Sequence, residues 1–279
     1  MIHADYLRPG NLNDALHALA ASSFKVLAGG TDVYPSHNPS APQMPVLDIT
    51  GVSELCGIEL QGHAWRIGAA TTWSTLVRAQ LPPQLHGLQA AAREVGGIQI
   101  QNTGTIAGNI CNASPAADGV PALLSLDADV ELASVRGIRR LPLQQFLLGS
   151  RQTARDPDEL VTAIWIPHRP DARSAFLKLG HRRYLVISIV MVAAVVEIEH
   201  GVFRHVALSV GSCSAVAQRL HALEQRLIGQ AANCQTIGGV SASDLAVLSP
   251  IDDVRGSARY RTDAALTLLR RAIAEAIHE

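Results

Sequence analysis

The sequence contains no run of apolar residues long enough to cross a membrane. A transmembrane helix needs about 18 consecutive apolar residues, whereas the longest apolar stretch here lies near Val186 to Val196. The first ten residues, MIHADYLRPG, also lack the basic and then apolar order of a secretory signal. The 279 residues, 48% of them hydrophobic, suit large buried cores in two lobes. We therefore expect a globular, cytoplasmic protein.

The chain also lacks an excess of charge of either sign. Its 23 basic and 24 acidic residues leave a formal net charge of -1, and both signs are scattered along the sequence. A surface that binds nucleic acid requires a basic stripe. The sequence therefore argues against a polyanionic partner.

Cysteine is scarce and follows no metal-binding pattern. The four cysteines, Cys56, Cys111, Cys213 and Cys234, form no C-x-x-C pair, so the sequence encodes neither a zinc site nor an iron–sulfur cluster. The eleven histidines show no metal-binding spacing either, and we assign no metal. Buried free thiols are the ordinary interpretation, although Cys111 lies in a glycine-rich stretch where it can approach a ligand.

The most distinctive stretch that is present is TGTIAGNICNASPAAD, Thr103 to Asp118. It shows no helical or strand period. Gly104 and Gly108 bracket three residues, and Asn109 tolerates left-handed backbone conformations. A backbone with so few bulky side chains can approach a ligand closely, and its N–H groups form a concavity suited to an anion. We expect a phosphate-binding loop here.

A second stretch of the same kind lies upstream, in KVLAGGTDV. An apolar run leads into Gly29 and Gly30, and Thr31 and Asp32 follow. Two such loops predict a ligand with two phosphates held between them. Neither loop matches a P-loop or the G-x-G-x-x-G of a dinucleotide fold. Taken singly, a Gly-Gly pair is more often only a tight turn, and that alternative stays open.

Hydrophobic periodicity predicts the elements around these loops. Asn11 caps a first helix, and Thr71 or Thr72 opens a second. Residues 33–45 form a loop. Further helices are expected at 88–95, at 122–126 with Pro121 in its first turn, at 215–227 and at 257–277. Strands are expected at 24–28, 46–49, 57–60, 64–67, 130–133, 138–141, 160–166, 175–179, 186–197 and 202–210.

LAGGTD, followed about seventy residues later by QNTGTIAGN and then NASPAAD, resembles the FAD-binding medium subunit of the molybdenum hydroxylases. This is the family of xanthine dehydrogenase and aerobic carbon monoxide dehydrogenase, and the resemblance covers essentially the whole chain. It implies an α+β fold with a two-lobed, PCMH-type FAD-binding domain at 1–171, divided into subdomains of about 1–55 and 56–171. A C-terminal α+β domain at 172–279 follows, with a three-stranded antiparallel sheet and helices.

The resemblance also implies which residues hold FAD. The glycine loops line the pyrophosphate with backbone N–H groups, and apolar residues pack against the flavin. There is no catalytic side chain in the chain itself, because the flavin carries the redox chemistry. The implied cofactor-binding residues are Val26, Leu27, Ala28, Gly29, Gly30, Thr31, Asp32, Val33 and Tyr34 in the first loop, Thr105, Ile106, Ala107, Gly108 and Asn109 in the second, and Val95, Ser114, Asp118, Val161 (or its neighbour Leu160) and Lys178 elsewhere.

Two of these residues have other interpretations. Asp118 either accepts hydrogen bonds from the sugar portion of the ligand or caps the helix that contains Pro121. Lys178 either stabilises the anionic reduced flavin or is a solvated surface lysine. Both alternatives stay open at this point.

The chain departs from the family pattern in three places. Ala107 replaces the first glycine of the usual T-I-G-G-N, and a methyl group there strains a left-handed backbone but not a right-handed one. Gln101 stands where an arginine is common. The segment after Arg183 lacks the usual aspartate, and its Tyr184 is a candidate for controlling how acceptors approach the flavin.

The family resemblance implies partners as well. The chain is expected to take electrons from a small subunit with two [2Fe–2S] clusters, which receives them from a large molybdopterin subunit. It passes them through FAD to an external acceptor, in a dimer of heterotrimers. A stand-alone FAD oxidoreductase of the same fold and a non-catalytic scaffold are the alternatives.

Overall fold

The computed structural model describes residues 6–35 and 44–278. Most of the predicted loop at 33–45 therefore lies outside the described residues. The described residues form one small parallel sheet, two larger antiparallel sheets and a two-stranded hairpin. This agrees with the predicted α+β class.

The small sheet begins the chain. It consists of β1 (Tyr6–Leu7), β2 (Lys25–Leu27) and β3 (Val46–Asp48), in the order β1-β3-β2 and all parallel. Helix α1 (Leu12–Ala21) connects the first two strands. As predicted, Asn11 caps this helix, because its side chain accepts a hydrogen bond from the backbone N–H of Asp14 at 2.9 Å.

The second sheet is antiparallel, in the order β4-β5-β10-β6-β7, beside the hairpin β8-β9. Its predicted strands are confirmed, whereas the hairpin was not expected. The strands are β4 (Ile58–Gln61), β5 (Ala64–Gly68), β6 (Asp129–Ser134), β7 (Gly137–Pro142), β8 (Leu147–Gly149), β9 (Gln152–Thr153) and β10 (Leu160–Pro167). The helices of the same region are α2 (Trp73–Arg78), α3 (His86–Glu94), α4 (Ile98–Thr103), α5 (Ile106–Asn112), α6 (Gly119–Ser125) and α7 (Leu143–Phe146).

Helix α5 corrects the expectation that Thr103 to Asp118 has no helical period. Thr105 caps this helix, since its Oγ1 accepts a hydrogen bond from the N–H of Gly108 at 3.0 Å. Ile106 and Ile110, one turn apart, are fully buried. The helical period was present, but glycine and asparagine on the other positions concealed it. Helix α4 was missed for a different reason, because its sequence IQIQNT begins with strand-like alternation and none of its residues is buried.

The third sheet contains β11 (Arg173–Leu179), β12 (Val190–Glu199), β13 (Val202–Gly211) and β14 (Gln218–Arg219), all antiparallel and in that order. The three long strands are those predicted, and the two-residue β14 adds a fourth. Helices α8 (His221–Leu227), α9 (Cys234–Gly238) and α10 (Ala258–His278) follow.

Two boundaries in this region were predicted wrongly. The strand expected from residue 186 begins at Val190, because Leu185 has a left-handed φ of 53° and the chain bends there. The helix expected from residue 215 begins at His221, because residues 218–219 pair with β13.

Strand β12 is buried on both faces, which explains its continuous apolar sequence. Met191, Ala193 and Val195 point into a hydrophobic core shared with the helices and sheets of residues 15–172. Val190 and Val192 point to the other face, into a core that includes the apolar stripe of α10. The third sheet is thus sandwiched between two cores. Among the described helices, none is both long and apolar enough to cross a membrane.

Candidate functional site

The two glycine-rich stretches meet in space. A Cβ added to Gly29 would lie 1.8 Å from the carbonyl oxygen of Thr103 and 2.9 Å from the Cα of Gly104. Only a glycine permits this approach of two backbones. Gly30 has a left-handed φ of 70°, and a Cβ there would also collide with the ring of Tyr34 at 2.4 Å. The absence of side chains is therefore required at both positions of this loop.

A cavity of about 1150 Å³ opens beside the contact between the two stretches. This volume is slightly above the range of ordinary small-molecule pockets, about 300–1000 Å³, and suits a ligand of dinucleotide size. The predicted site residues that line it are Val26, Ala28, Gly29, Gly30, Thr31, Asp32, Val33, Tyr34, Val95, Thr105, Ala107, Gly108, Asn109 and Val161, and Leu160 lines it too.

Five predicted site residues are not part of the cavity wall in the described structure. They are Leu27, Ile106, Ser114, Asp118 and Lys178. Leu27 and Ile106 are buried in the protein, and the hydroxyl of Ser114 accepts a hydrogen bond from the N–H of Ala116 at 3.2 Å. Their predicted contact with the ligand remains a prediction.

The first loop offers unused hydrogen-bond donors. The N–H groups of Gly29, Gly30 and Thr31 have no protein acceptor within residues 6–35 and 44–278. The turn is closed instead by the N–H of Tyr34, which donates to the carbonyl of Gly30 at 3.1 Å. Consecutive free N–H groups in a turn with a left-handed residue form a cradle for an anion. Phosphate binding by this loop stays a prediction.

The second stretch does not offer such donors. The N–H of Ile106 donates to the carbonyl of Thr71 at 3.0 Å, and that of Ala107 donates to the carbonyl of Ala69 at 3.2 Å. The next two N–H groups of α5 donate to its capping residue. The expectation that this stretch presents a row of free N–H groups is therefore wrong, although its residues do line the cavity.

The departure at Ala107 does not strain the backbone. The residue lies in α5 and is right-handed, so a methyl group is tolerated there. The neighbouring Asn109 lines the cavity, and its Oδ1 is buried with no hydrogen-bond partner in the part of the chain that the structure describes. A buried acceptor without a partner is costly. The oxygen is enclosed by protein beside Gly119, 3.0 Å from the position that a Cβ would take there.

Asp118 and Lys178 form a buried ion pair. The Nζ of Lys178 lies 3.0 Å from Oδ2 of Asp118, and the two side chains are only 5% and 11% exposed. Lys178 also donates to the carbonyl of Glu94 at 3.1 Å, and the hydroxyl of Ser188 donates to Oδ1 of Asp118 at 2.7 Å. Burial raises the pKa of the Asp118 carboxyl, and the charge of Lys178 opposes this.

This geometry excludes one of the two alternatives for each residue. Lys178 is not a solvated surface residue, because its side chain is enclosed. Asp118 does not cap the helix of Pro121, since it makes no side-chain capping hydrogen bond to α6. The pair lies where β11 meets α3 and α6, which places a buried charge pair at the junction of the two cores.

Several residues of the cavity wall were missed by the sequence analysis. Lys25, Arg151 and Arg155 bring positive charge to the wall, and Asn112 lies among them. No motif marks the two arginines, because the hairpin β8-β9 brings them to the site from a distant part of the sequence. Cys111, which the sequence did single out, also lines the cavity, and its side chain is exposed there.

Comparison with protein families matches most of the chain. Residues 2–169 match the family described as the FAD binding domain in molybdopterin dehydrogenase, and residues 175–276 match the C-terminal domain of the CO dehydrogenase flavoprotein.

Individual relatives agree. The chain is 33% identical to the xanthine dehydrogenase FAD-binding subunit of Escherichia coli O157:H7, over 98% of this chain and 96% of that protein. It is 31% identical to the carbon monoxide dehydrogenase medium chain of Afipia carboxidovorans, with the same coverage. It superposes on the reconstituted CO dehydrogenase from Oligotropha carboxidovorans with a TM-score of 0.90 and 29% identity, covering 99% of both chains.

Proposed function

We propose, since the chain belongs to the FAD-binding family of the molybdopterin dehydrogenases, that it is the electron-transferring flavin subunit of a molybdenum hydroxylase complex. The family makes it an FAD-binding subunit of an oxidoreductase. The proposal adds that electrons arrive from an iron–sulfur subunit and leave to an external acceptor. Electron transfer is the chemistry that bound FAD supplies and that no side chain of the protein provides.

One observation carries the assignment of the ligand. The N–H groups of Gly29, Gly30 and Thr31 have no acceptor among the described residues, and all three residues line a cavity of about 1150 Å³, so an anionic group of a ligand can accept hydrogen bonds from them. The residues fit FAD in one further respect, because Val95 supplies apolar wall suited to a flat ring.

The remaining residues hold and shield the cofactor. The first loop binds the pyrophosphate of FAD through its N–H groups. Val95 and Val161 pack against the flavin and exclude water. In the proposal, Asp118 contacts the sugar portion of FAD and Lys178 supplies a fixed positive charge near the flavin ring, with Ser188 holding the carboxylate in place.

The proposed partners are a large molybdopterin subunit and a small subunit with two [2Fe–2S] clusters, arranged as a dimer of heterotrimers. Two observations support this. The relatives are named as subunits or medium chains of dehydrogenases, and the chain spans 96% of their length. A cytoplasmic location stays a prediction from the sequence, as do the domain boundaries at 171/172 and about 55/56.

Spectroscopy of the purified chain tests FAD binding. Wild-type protein should be yellow and release FAD, identified by chromatography against FMN and riboflavin. Gly30→Val and Gly108→Val should be colourless, because their side chains enter the cavity wall. Gly238→Val is the matched control, since nothing lies within 4 Å of a Cβ there, and it should stay yellow. Full FAD occupancy in both cavity variants would overturn the assignment.

Recovery of the complex tests the electron-transfer role. The tagged chain, isolated at native expression levels, should bring down two further subunits that contain molybdenum and iron. In the complex with Gly30→Val, substrate should still reduce the iron–sulfur centres while turnover with external acceptors is lost. Isolation of an active, partner-free monomer would contradict the proposal and favour a stand-alone oxidoreductase.

A further inference from the structure

Three side chains in the wall of the cavity form a chain of hydrogen bonds. A guanidinium N–H of Arg151 donates to Oδ1 of Asn112. The amide of Asn112 donates in turn to Oδ1 of Asp32 at 2.9 Å. All three residues line the cavity. They come from the hairpin β8-β9, the end of α5 and the first glycine loop, so the contacts join three separate segments.

The backbone around Arg151 holds it in place. Arg151 has a left-handed φ of 61°, and Ala113 has a left-handed φ of 45°. The N–H of Arg151 donates to the carbonyl of Ala113 at 2.9 Å, so the two unfavourable conformations support each other. Residues other than glycine adopt this conformation at an energetic cost, and such positions concentrate at ligand sites. The guanidinium therefore extends from a fixed turn.

Binding of a pyrophosphate at the first loop requires a positive charge from the cavity wall. The N–H groups of the first loop are neutral, and Asp32 in the same loop is negatively charged. A pyrophosphate carries about two negative charges, so neither group offsets its charge. Of the cations in the wall, Arg155 directs one guanidinium nitrogen to three backbone carbonyls, of residues 156, 157 and 159. Arg151 is connected to the first loop by hydrogen bonds that pass through Asn112.

We infer that Arg151 is a cofactor-binding residue that contacts the pyrophosphate of FAD, and that Asn112 is a positioning residue that directs the guanidinium over the first glycine loop. The inference rests on the proposed function, because it takes FAD to be the ligand. It assigns to the hairpin β8-β9 a role in recognising the cofactor. An arginine suits this role because its planar donors match phosphate oxygens.

The test compares the affinities of the full chain, freed of flavin, for FAD, ADP and riboflavin. Arg151→Gln should weaken the binding of FAD and of ADP about 10-fold, the low end expected for a charged hydrogen bond at an exposed position. Its effect on riboflavin, which has no phosphate, should be less than about 2-fold. Arg151→Lys should restore part of the affinity. Arg136→Gln is the control, because Arg136 is an exposed arginine that pairs with Asp156 and does not line the cavity.

Salt dependence separates an ionic contact from a structural role. Added salt screens exposed charges, so the affinity of wild-type protein for FAD should fall with salt more steeply than that of Arg151→Gln. Asn112→Ala should weaken FAD binding less than Arg151→Gln does. The double variant should be no weaker than Arg151→Gln alone, because a positioning residue has no effect once its target is absent.

The outcomes distinguish this inference from the proposed function. If the wild-type chain binds no FAD, the proposed function fails. If it binds FAD and Arg151→Gln matches wild type in affinity and salt dependence, only the role of Arg151 fails. Equal losses for FAD and riboflavin would also overturn the inference, because they would show a general distortion of the site. Thermal unfolding of each flavin-free variant checks that it is folded.

Discussion

The ammonium group of Lys178 lies 3.0 Å from the carboxylate of Asp118, with both side chains nearly enclosed by protein. The lysine is on β11 and the aspartate precedes α6, so the pair connects the third sheet to the helices of the preceding region. Each charge is stable there only because the other is present. Removal of one partner alone would therefore leave the other charge buried and unpaired.

Lys178→Met should lower the free energy of unfolding by about 3–5 kcal/mol, since it leaves the Asp118 carboxylate buried without a partner. The double change of Lys178→Met with Asp118→Asn should recover much of that loss. Arg204→Met is the control, because its ion pair with Glu199 is exposed, and it should cost less than about 1 kcal/mol. Chemical denaturation of the flavin-free chain measures all three. A loss below 1 kcal/mol in the Lys178 variant would show that the pair is dispensable.

Gly29→Ala should separate the two glycine-rich stretches, because its methyl group would overlap the carbonyl of Thr103. The obstacle is backbone, which cannot rotate away, so we expect a loss of at least about 2 kcal/mol in unfolding free energy together with weaker FAD binding. Gly238→Ala meets nothing within 4 Å and should change stability by less than about 1 kcal/mol. Denaturation and flavin titration of both variants give the comparison. Normal stability in Gly29→Ala would mean that the backbones at Gly29 and Thr103 are farther apart than in this structure.

Cys111 should react with alkylating reagents in the flavin-free chain, because its side chain is exposed where it lines the cavity. Cys56 and Cys234 are also exposed but do not line the cavity. Saturating FAD should suppress the modification of Cys111 and leave that of Cys56 and Cys234 unchanged. Mass spectrometry of peptides after timed alkylation measures each site. Equal labelling of Cys111 with and without FAD would place the cofactor elsewhere.

Asp253 should stabilise the fold above about pH 4 and lose this effect in acid. The backbone N–H of Arg255 donates to its carboxylate at 2.7 Å, as does the guanidinium of Arg261 at 2.7 Å, and these contacts lower its pKa to about 2. Its pKa in the unfolded chain is near the ordinary value of about 3.9. The contribution is therefore complete above that value and disappears as the pH falls to about 2.

Comparison with Asp253→Asn measures this directly. The difference in unfolding free energy between the two proteins should be constant from about pH 5 to 7 and should shrink steadily below pH 4. The amide cannot titrate, so it removes the proton-dependent part of the stability. Two curves that stay parallel from pH 6 to pH 2 would contradict the prediction.

The sequence predicts well those elements whose apolar residues follow a regular pattern along the chain. Strand β12 is apolar throughout because both of its faces are buried, and α10 shows its stripe through Ala265, Leu269 and Ala272. Helix α5 was hidden, because Gly108 and Asn109, which line the cavity, are poor helix formers. Strand β14, with two residues, depends entirely on its pairing with β13.

The sequence alone determined the family, the α+β class and most of the cavity wall, because a glycine that must admit another backbone or adopt a left-handed conformation tolerates no other residue. Tertiary structure alone decided which donors are free. The N–H groups of the first loop remain available, whereas those of α5 are used by Thr71 and Ala69. It also brought Arg151 to the cavity and enclosed Lys178 with Asp118. These relationships join residues far apart in the chain, and local sequence patterns contain no information about such distances.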